Sequence, residues 1–442
     1  LLASIFFYAW GAPDFIYIVL GSIVIDFFLV DWMHKSTLNK AKRILLGISV
    51  VINVGMLAYF KYANFMVENF NALLQTFGFN AASWAKVALP IGISFFTFQK
   101  LTYSVDVYRR VHAPLSSVWD YAMYILMFPQ LIAGPIVRFH EIAGQIENRR
   151  AFETVDDKLL GFFRFAMGLS KKVLIANVLG EQVDAIFAMP ASEISTSLAW
   201  IGIVAYSFQI YYDFSGYSDM AIGIGRMIGF SFPENFNNPY VSQNITEFWR
   251  RWHITLGRWM RDYLYIPLGG SRVNPGQMYF NLWVVFLISG LWHGAAWNFV
   301  IWGAFHGLFL ILDRMFFIRF TKAIGKYPSI IITYFITLIG WVLFRADSLD
   351  FAFGYIGRMF AFDGIKGNIW FDAEFKTMLA AGAVFGFMAA FGKIEKWWMN
   401  ILEQPKSSMK IVAMIAIAIL FTAICVGSIT SSSFNPFIYF RF

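Results

Sequence analysis

The sequence predicts an all-α polytopic membrane protein, and three observations carry that prediction. Hydrophobic residues make up 58% of the 442-residue chain and charged residues only 14%, where a soluble domain carries about a quarter charged residues. Mean hydropathy is +0.59. Apolar runs close to membrane-spanning length recur from end to end, and a span needs roughly 20 mostly apolar residues.

The strong runs are Ile16 to Val30, with Asp26 inside it, then Ile44 to Phe60, Ile194 to Tyr212, Asn281 to Leu312, Ile330 to Phe344 and Ile411 to Ser428. Weaker runs near 88–104, 120–137, 159–170, 217–230 and 377–391 bring the expected membrane segments to about ten or eleven. The opening LLASIFFYAW reads as the tail of a helix already under way, so a preceding segment is expected. Neither a linker nor an internal repeat interrupts the pattern, and a single membrane-embedded domain over 1–442 is the economical reading.

The net charge of +8 does not point to nucleic acid, because the basic residues fall between apolar runs: Lys35, Lys40, Lys42 and Arg43; Arg109 and Arg110; Arg314, Arg319, Lys322 and Lys326. That is the flank expected of spans whose ends meet a cytoplasm and anionic membrane lipid. The single cysteine, Cys425, excludes a disulfide framework and a thiolate metal site.

The polar stretch from Asn235 to Arg272 is the most informative. Asn244 followed by Glu247 is an N-cap with an acid at N3, which starts a helix near Ile245. Phe248, Trp249, Trp252, Leu256, Trp259, Met260 and Tyr263 then follow helical spacing, while Arg250, Arg251, Arg258 and Arg261 fall largely elsewhere. An aromatic face opposite arginines suits a helix lying at the membrane interface, ended by Pro267 and Gly269-Gly270. On this reading His253 is an interfacial, partly hydrated histidine.

The run LISGLWHGAAWNFVIWGAFHG, 287–307, holds two histidines in an otherwise apolar stretch, and intramembrane ionisable groups are functional candidates by default. His293 could act as general base, proton relay, metal ligand or structural hydrogen-bonder. Metal is the weakest of these, because no second ligand lies at zinc spacing. Read as one helix over about 287–312, His293 and His306 stand about 220° apart and face different ways. A histidine desolvated among Trp292, Trp297 and Phe299 would tend to stay neutral, as a general base requires. Gly290 and Gly294 fit close helix packing equally well. The polar YYDFSGYSDMAIG, with Asp213, Ser215, Ser218 and Asp219, reads either as a substrate or ion path or as interhelical hydrogen bonding. GIGRMIG at 223–229 has the wrong spacing for a nucleotide-binding loop.

Together these blocks resemble the membrane-bound O-acyltransferase family, and within it the branch serving bacterial cell-envelope polysaccharides. The resemblance lies in LPIGISFFTFQKLTYSVDVYR at 89–109, FPQLIAGPIVRFHEI at 128–142, DFSGYSDMAIGIGRMIGF at 213–230, NPYVSQNITEFWRRWHITLGRWMRDYLYIPLGGSR at 238–272, GLWHGAAWNFVIWGAFHG at 290–307 and the ending FNPFIYFRF. The alginate-acetylating members are most similar, the peptidoglycan-acetylating ones next, and the teichoic-acid D-alanylating ones more distant. DYLYIPLGGSR favours the acetylating members.

The resemblance implies a bundle of about 10–12 helices around a central tunnel, and places the catalytic histidine of the WHG motif at His293 with a second functional histidine at His253. It implies acyl transfer from a cytoplasmic thioester, acetyl-CoA above all, without a metal, and a periplasmic or membrane-anchored acetyltransferase of the SGNH-hydrolase type as partner. The location implied is the bacterial cytoplasmic, or inner, membrane. Trp249, Trp252, Trp292, Trp297 and Asn298 are then candidates for the tunnel wall, Arg250, Arg251 and Arg258 for attraction of an anionic donor, and Asp213 and Ser215 for a polar path. The rival of another class is a transporter or channel that uses the same polar residues; a non-catalytic assembly subunit is a third reading.

Overall fold

The computed structural model describes residues 1–131, 133–149, 153–363, 371–394, 408–431 and 437. The ending FNPFIYFRF lies outside the described residues apart from Phe437. Every regular element among the described residues is helical. Six helical stretches are long and apolar enough to cross a membrane: Ile16–Lys35, Asn39–Thr76, Trp297–Ile324, Lys326–Arg345, Ala373–Ala390 and Ser408–Ser431. The protein is therefore a multi-pass α-helical membrane protein. Other expected segments fall in helices that are shorter or more polar than these six.

The chain falls into two compact units, Leu1–Thr154 with Ile228–Pro233, and Val155–Met227 with Glu234–Phe442. The first contains α1 (Leu2–Gly11), α2 (Ile16–Lys35), α3 (Asn39–Leu57), α4 (Ala63–Thr76), α5 (Ile93–Tyr108), α6 (Val118–Leu126), α7 (Phe128–Leu131) and α8 (Phe139–Glu147). Asp26, buried on α2, accepts hydrogen bonds from Ser49 at 2.5 Å, Asn53 at 3.0 Å and Tyr121 at 2.5 Å, tying α2 to α3 and α6. Lys100 on α5, fully buried, donates to Ser22 at 2.5 Å. Between apolar helices such bonds supply the attraction that the hydrophobic effect does not.

The second unit holds α9 (Val155–Ser170), a π-helical turn at Lys171–Asn177, α10 (Val178–Phe187) and α11 (Thr196–Met227). It continues with α12 (Ile245–Arg251), α13 (Ile254–Met260), α14 (Pro275–His293), α15 (Trp297–Leu312), α16 (Ile318–Ile324), α17 (Lys326–Arg345), α18 (Leu349–Met359), α19 (Ala373–Phe387) and α20 (Ser408–Ser431). The runs at 194–212 and 217–230, read from the sequence as separate segments, form the single 32-residue α11.

Glycines let α9 and α11 approach at backbone distance. A Cβ on Gly216 would stand 2.7 Å from the Gly168 carbonyl oxygen, and one on Gly223 would stand 2.6 Å from that of Gly161. Two contacts spaced seven residues apart on each helix make the small-residue seam of close membrane packing. Gly223 of GIGRMIG thus serves this seam. Charges close it on either side. Lys171 and Arg164 pair with Asp219 at 2.6 and 2.9 Å, and Arg226 pairs with Asp157 at 2.9 Å.

Candidate active site

The site lies in the second unit, where two sequence segments expected to be continuous helices are broken. From Ile245 the cap forms as the residues suggest, the Asn244 side chain accepting from the Glu247 amide at 2.8 Å. Asp313, beyond the end of α15, accepts from the Thr246 amide at 2.6 Å and its hydroxyl at 2.8 Å, and so pins the same end. The helix stops at Arg251. His253 adopts the left-handed conformation, with φ of 45°, before α13 begins. That conformation costs a non-glycine residue about 1–3 kcal/mol unless its surroundings hold it.

Here the holding group is the segment around Asn235. Its carbonyl accepts from the Ile254 amide at 2.9 Å, and the Asn237 amide donates to the Arg251 carbonyl at 2.9 Å. Thus the interfacial helix expected over this stretch is two short helices with a kink, and His253, expected to be partly hydrated, is buried with 1% exposure.

The kink also fixes the chemistry of the ring. Asn235 Oδ1 accepts from the Thr255 hydroxyl at 2.8 Å and the Thr255 amide at 3.3 Å, which identifies it as the oxygen. It stands 3.1 Å from His253 Nδ1, so that nitrogen carries the proton and donates. Asn235 Nδ2 in turn donates to Ser218 on α11 at 3.1 Å. Nε2 of His253 is then a lone-pair acceptor, buried and without a hydrogen-bond partner among the described residues. Burial lowers the pKa of His253 to about 3, so the ring is neutral at pH 7.

The second break falls inside the apolar histidine stretch. α14 ends at His293, and Gly294 takes an extended conformation before α15 begins at Trp297. A side chain on Gly294 would run into the Phe299 ring, and one on Gly290 would meet the Phe299 carbonyl. The one-helix reading of 287–312, which turned His293 and His306 apart, is therefore corrected. Trp302 packs edge-on against both imidazoles, with centroid distances of 5.1 Å in each case.

These breaks bring His253 and His293 together, their ring centroids 6.4 Å apart. Trp292 lies 6.0 Å from His253 and 4.9 Å from His293. Phe214 of α11 stands edge-on to His253 at 4.7 Å, and Phe344 of α17 stands 5.4 Å from His293. Trp249 packs on Trp302 at 5.5 Å and on His306 at 5.0 Å, and Trp252 packs on Trp341 at 4.8 Å. The result is a buried cluster of packed aromatic rings that surrounds the imidazoles.

Other sequence candidates divide. Asn298 is buried and donates to the Ala346 carbonyl at 2.8 Å, fastening the start of α15 to the end of α17. Trp297 is 53% exposed. Arg251 pairs with Glu247 at 2.9 Å and donates to the Asn237 carbonyl at 3.1 Å, a clamp on the kink, while Arg250 and Arg258 are exposed. Asp213 pairs with Lys172 on the turn after α9. Ser215 is buried and its hydroxyl has no hydrogen-bond partner among the described residues. So α11 presents Phe214 to His253 and Asp213 to Lys172, and the interhelical alternative describes Asp213 and Asp219. No group of three or more His, Cys, Asp or Glu able to hold a metal occurs among the described residues.

The sequence reading passed over Asn235 and Trp302. Trp302 stood inside a quoted block and Asn235 at the head of the polar stretch, but no spacing marks an asparagine 18 residues upstream as the partner of a histidine.

The family model of the membrane-bound O-acyltransferases matches residues 57–345, which include both breaks and both histidines. The chain belongs to this family. As a membrane-bound O-acyltransferase it is 38% identical to the probable alginate O-acetylase AlgI of Pseudomonas putida, over 100% of this chain and 93% of that protein. It is 39% identical to the peptidoglycan O-acetyltransferase of Helicobacter pylori, over 83% of this chain and 74% of that one. The teichoic acid D-alanyltransferase of Bacillus subtilis is 28% identical over 58% of this chain and 68% of its own. The chain is thus an enzyme of O-acyl transfer, which answers the transporter reading.

Proposed function

We propose that this O-acyltransferase moves an acetyl group from a cytoplasmic thioester, acetyl-CoA, toward O-acetylation of exported alginate. The reading is supported by the relatives named as alginate O-acetylases and carried by one observation, the buried pairing of His253 with His293 among packed aromatic rings. The enzyme sits in the bacterial inner membrane and hands the group to an acetyltransferase of the SGNH-hydrolase type on the far side, or to that protein's acceptor hydroxyl.

His293 is the general base. It takes the proton of the acceptor hydroxyl as that oxygen bonds to the thioester carbonyl carbon. On collapse the C–S bond breaks, and the imidazolium returns the proton to the departing thiolate, so acid and base roles balance. His253 has its Nδ1 proton engaged by Asn235, so its free Nε2 accepts and does not donate. That suits it to orienting the acceptor hydroxyl. The oxyanion needs a donor, and the indole N–H of Trp302, buried beside His293 with no acceptor among the described residues, fits that need. Exclusion of water by the aromatic wall protects the thioester from hydrolysis.

The test is His293→Ala in an alginate-producing strain lacking its own copy. Polymer ester content is expected to fall at least about a hundredfold, with membrane abundance and thermal unfolding of the purified protein retained. Unchanged ester content removes His293 from the chemistry. Loss of ester from peptidoglycan with alginate ester untouched moves the acceptor to the polymer named for the Helicobacter pylori relative.

A further inference from the structure

A second site stands in the first unit, apart from the chemistry. The ends of α2 and α5, the beginning of α3 and the turn after α5 form an open pocket of about 380 Å³, lined by Met33, His34, Lys42, Val107, Tyr108, Arg110, His112 and Ala113. Two cationic side chains and two imidazoles face one space, and no carboxylate lines it. Among the described residues, Lys42, Arg110 and His34 form no ion pair. By contrast the nearby acids are spoken for, Asp31 by Lys35 at 2.7 Å and Asp106 by His140 at 2.8 Å.

Two features of the backbone sharpen this. The 19-residue α3 starts without a side-chain cap and carries Lys40 and Lys42 in its first turn. Cations beside the positive end of a helix dipole repel it, whereas an anion there is favoured. Arg110 is held at φ of 59°, a conformation rare for a side-chain-bearing residue. The turn is thus strained at the residue that lines the cavity.

We infer that this cavity binds the phosphate of an anionic phospholipid headgroup, with Lys42 and Arg110 as its charged contacts and the imidazole of His34 as a further donor. The position of the site at the ends of two span-length helices argues for lipid over a soluble phosphate. α2 and the helix beginning at Asn39 are both span-length and apolar, joined by the short turn between Lys35 and Asn39. The cavity therefore opens where these helices leave the hydrocarbon, at the level occupied by headgroups. Met33 and Val107 give it an apolar floor for the start of the acyl chains. Basic clusters at this level attract anionic lipid strongly.

The experiment is native mass spectrometry of the full-length protein released from detergent, titrated with phosphatidylglycerol, phosphatidylcholine, inorganic phosphate or adenosine 3′,5′-bisphosphate. Phosphatidylglycerol is expected to bind in preference to phosphatidylcholine, and neither soluble phosphate to displace it at equal concentration. Lys42→Gln combined with Arg110→Gly is expected to weaken phosphatidylglycerol binding on the order of tenfold or more; glycine is chosen at 110 because it accepts the positive φ. Lys42→Arg alone retains binding. Equal binding of the two lipids by the unaltered protein overturns the inference without recourse to any variant. So does unchanged affinity in the double variant, and displacement by a soluble phosphate reassigns the site to a nucleotide or free ion.

Discussion

At the scale of single residues, the site turns on a histidine held in an unfavourable backbone conformation by an asparagine 18 positions earlier. Asn235 does three things at once: its main chain pairs with Ile254, its side-chain oxygen gathers Thr255 and His253 Nδ1, and its amide reaches Ser218. Removing that side chain in Asn235→Ala frees the His253 ring to change tautomer and tilt. A misplacement of about 1 Å costs on the order of a hundredfold in rate. We expect kcat to fall by about that factor with the donor KM nearly unchanged, and Asn235→Asp, which keeps the acceptor oxygen, to recover part of the loss. A parallel rise in KM would mean that Asn235 shapes binding instead. His253 and His293 were identified by resemblance, because the WHG block and the block around His253 are short, local patterns. Asn235 was not, because its role arises from a backbone kink and a long-range pairing that no local spacing records.

At the scale of elements, the cap at Asn244, the turn glycines and most helix positions were legible from residue types alone. The two breaks were not. Neither 245–263 nor 287–312 contains a proline, and the apolar period runs through each kink without a change of phase. The breaks come from tertiary demands: Asn235 pulling at His253, and the Phe299 ring occupying the space beside Gly294. The α9–α11 seam was equally hidden, since a glycine in an apolar run signals close packing without naming its partner. Gly216→Ala is expected to lower stability by about 1–3 kcal/mol, because its methyl would press on the Gly168 carbonyl and neither backbone can retreat freely. Thermal unfolding in detergent measures this. An unshifted transition would show that the two helices can separate slightly at no cost.

At the scale of the whole molecule, composition alone established the membrane class, and buried ion pairs let a polar helix such as α11 lie inside the bundle. Stability toward acid has a locatable contributor outside the spans. Asp363 accepts from the Thr196 amide at 3.1 Å and hydroxyl at 3.0 Å, and it pairs with Arg358, latching the end of α18 to the start of α11. The Thr196 amide, foremost, holds its carboxyl down at about 2, with the Thr196 hydroxyl and Arg358 adding to the effect against partial desolvation. A carboxyl more acidic when folded than when unfolded contributes fully above about pH 4 and loses that contribution as pH falls through about 2. Asp363→Asn should therefore lower the unfolding temperature at neutral pH and show a shallower further drop between about pH 4 and 2. Parallel pH curves for both proteins would exclude the latch as an acid-sensitive element.

The seam between α9 and α11 also bears on where the aromatic cluster can yield. α11 lends Phe214 to the histidines while its glycines are interlocked with those of α9, so that wall is a fixed anvil. Across the histidines stand α12, seven residues long, and α13, which runs on as a π-helical turn to Tyr265. Any local opening of the cluster is therefore expected at the kink between α12 and α13 before the long helices part. His253 stands at that kink, so a shift of either short helix carries the aim of its imidazole with it.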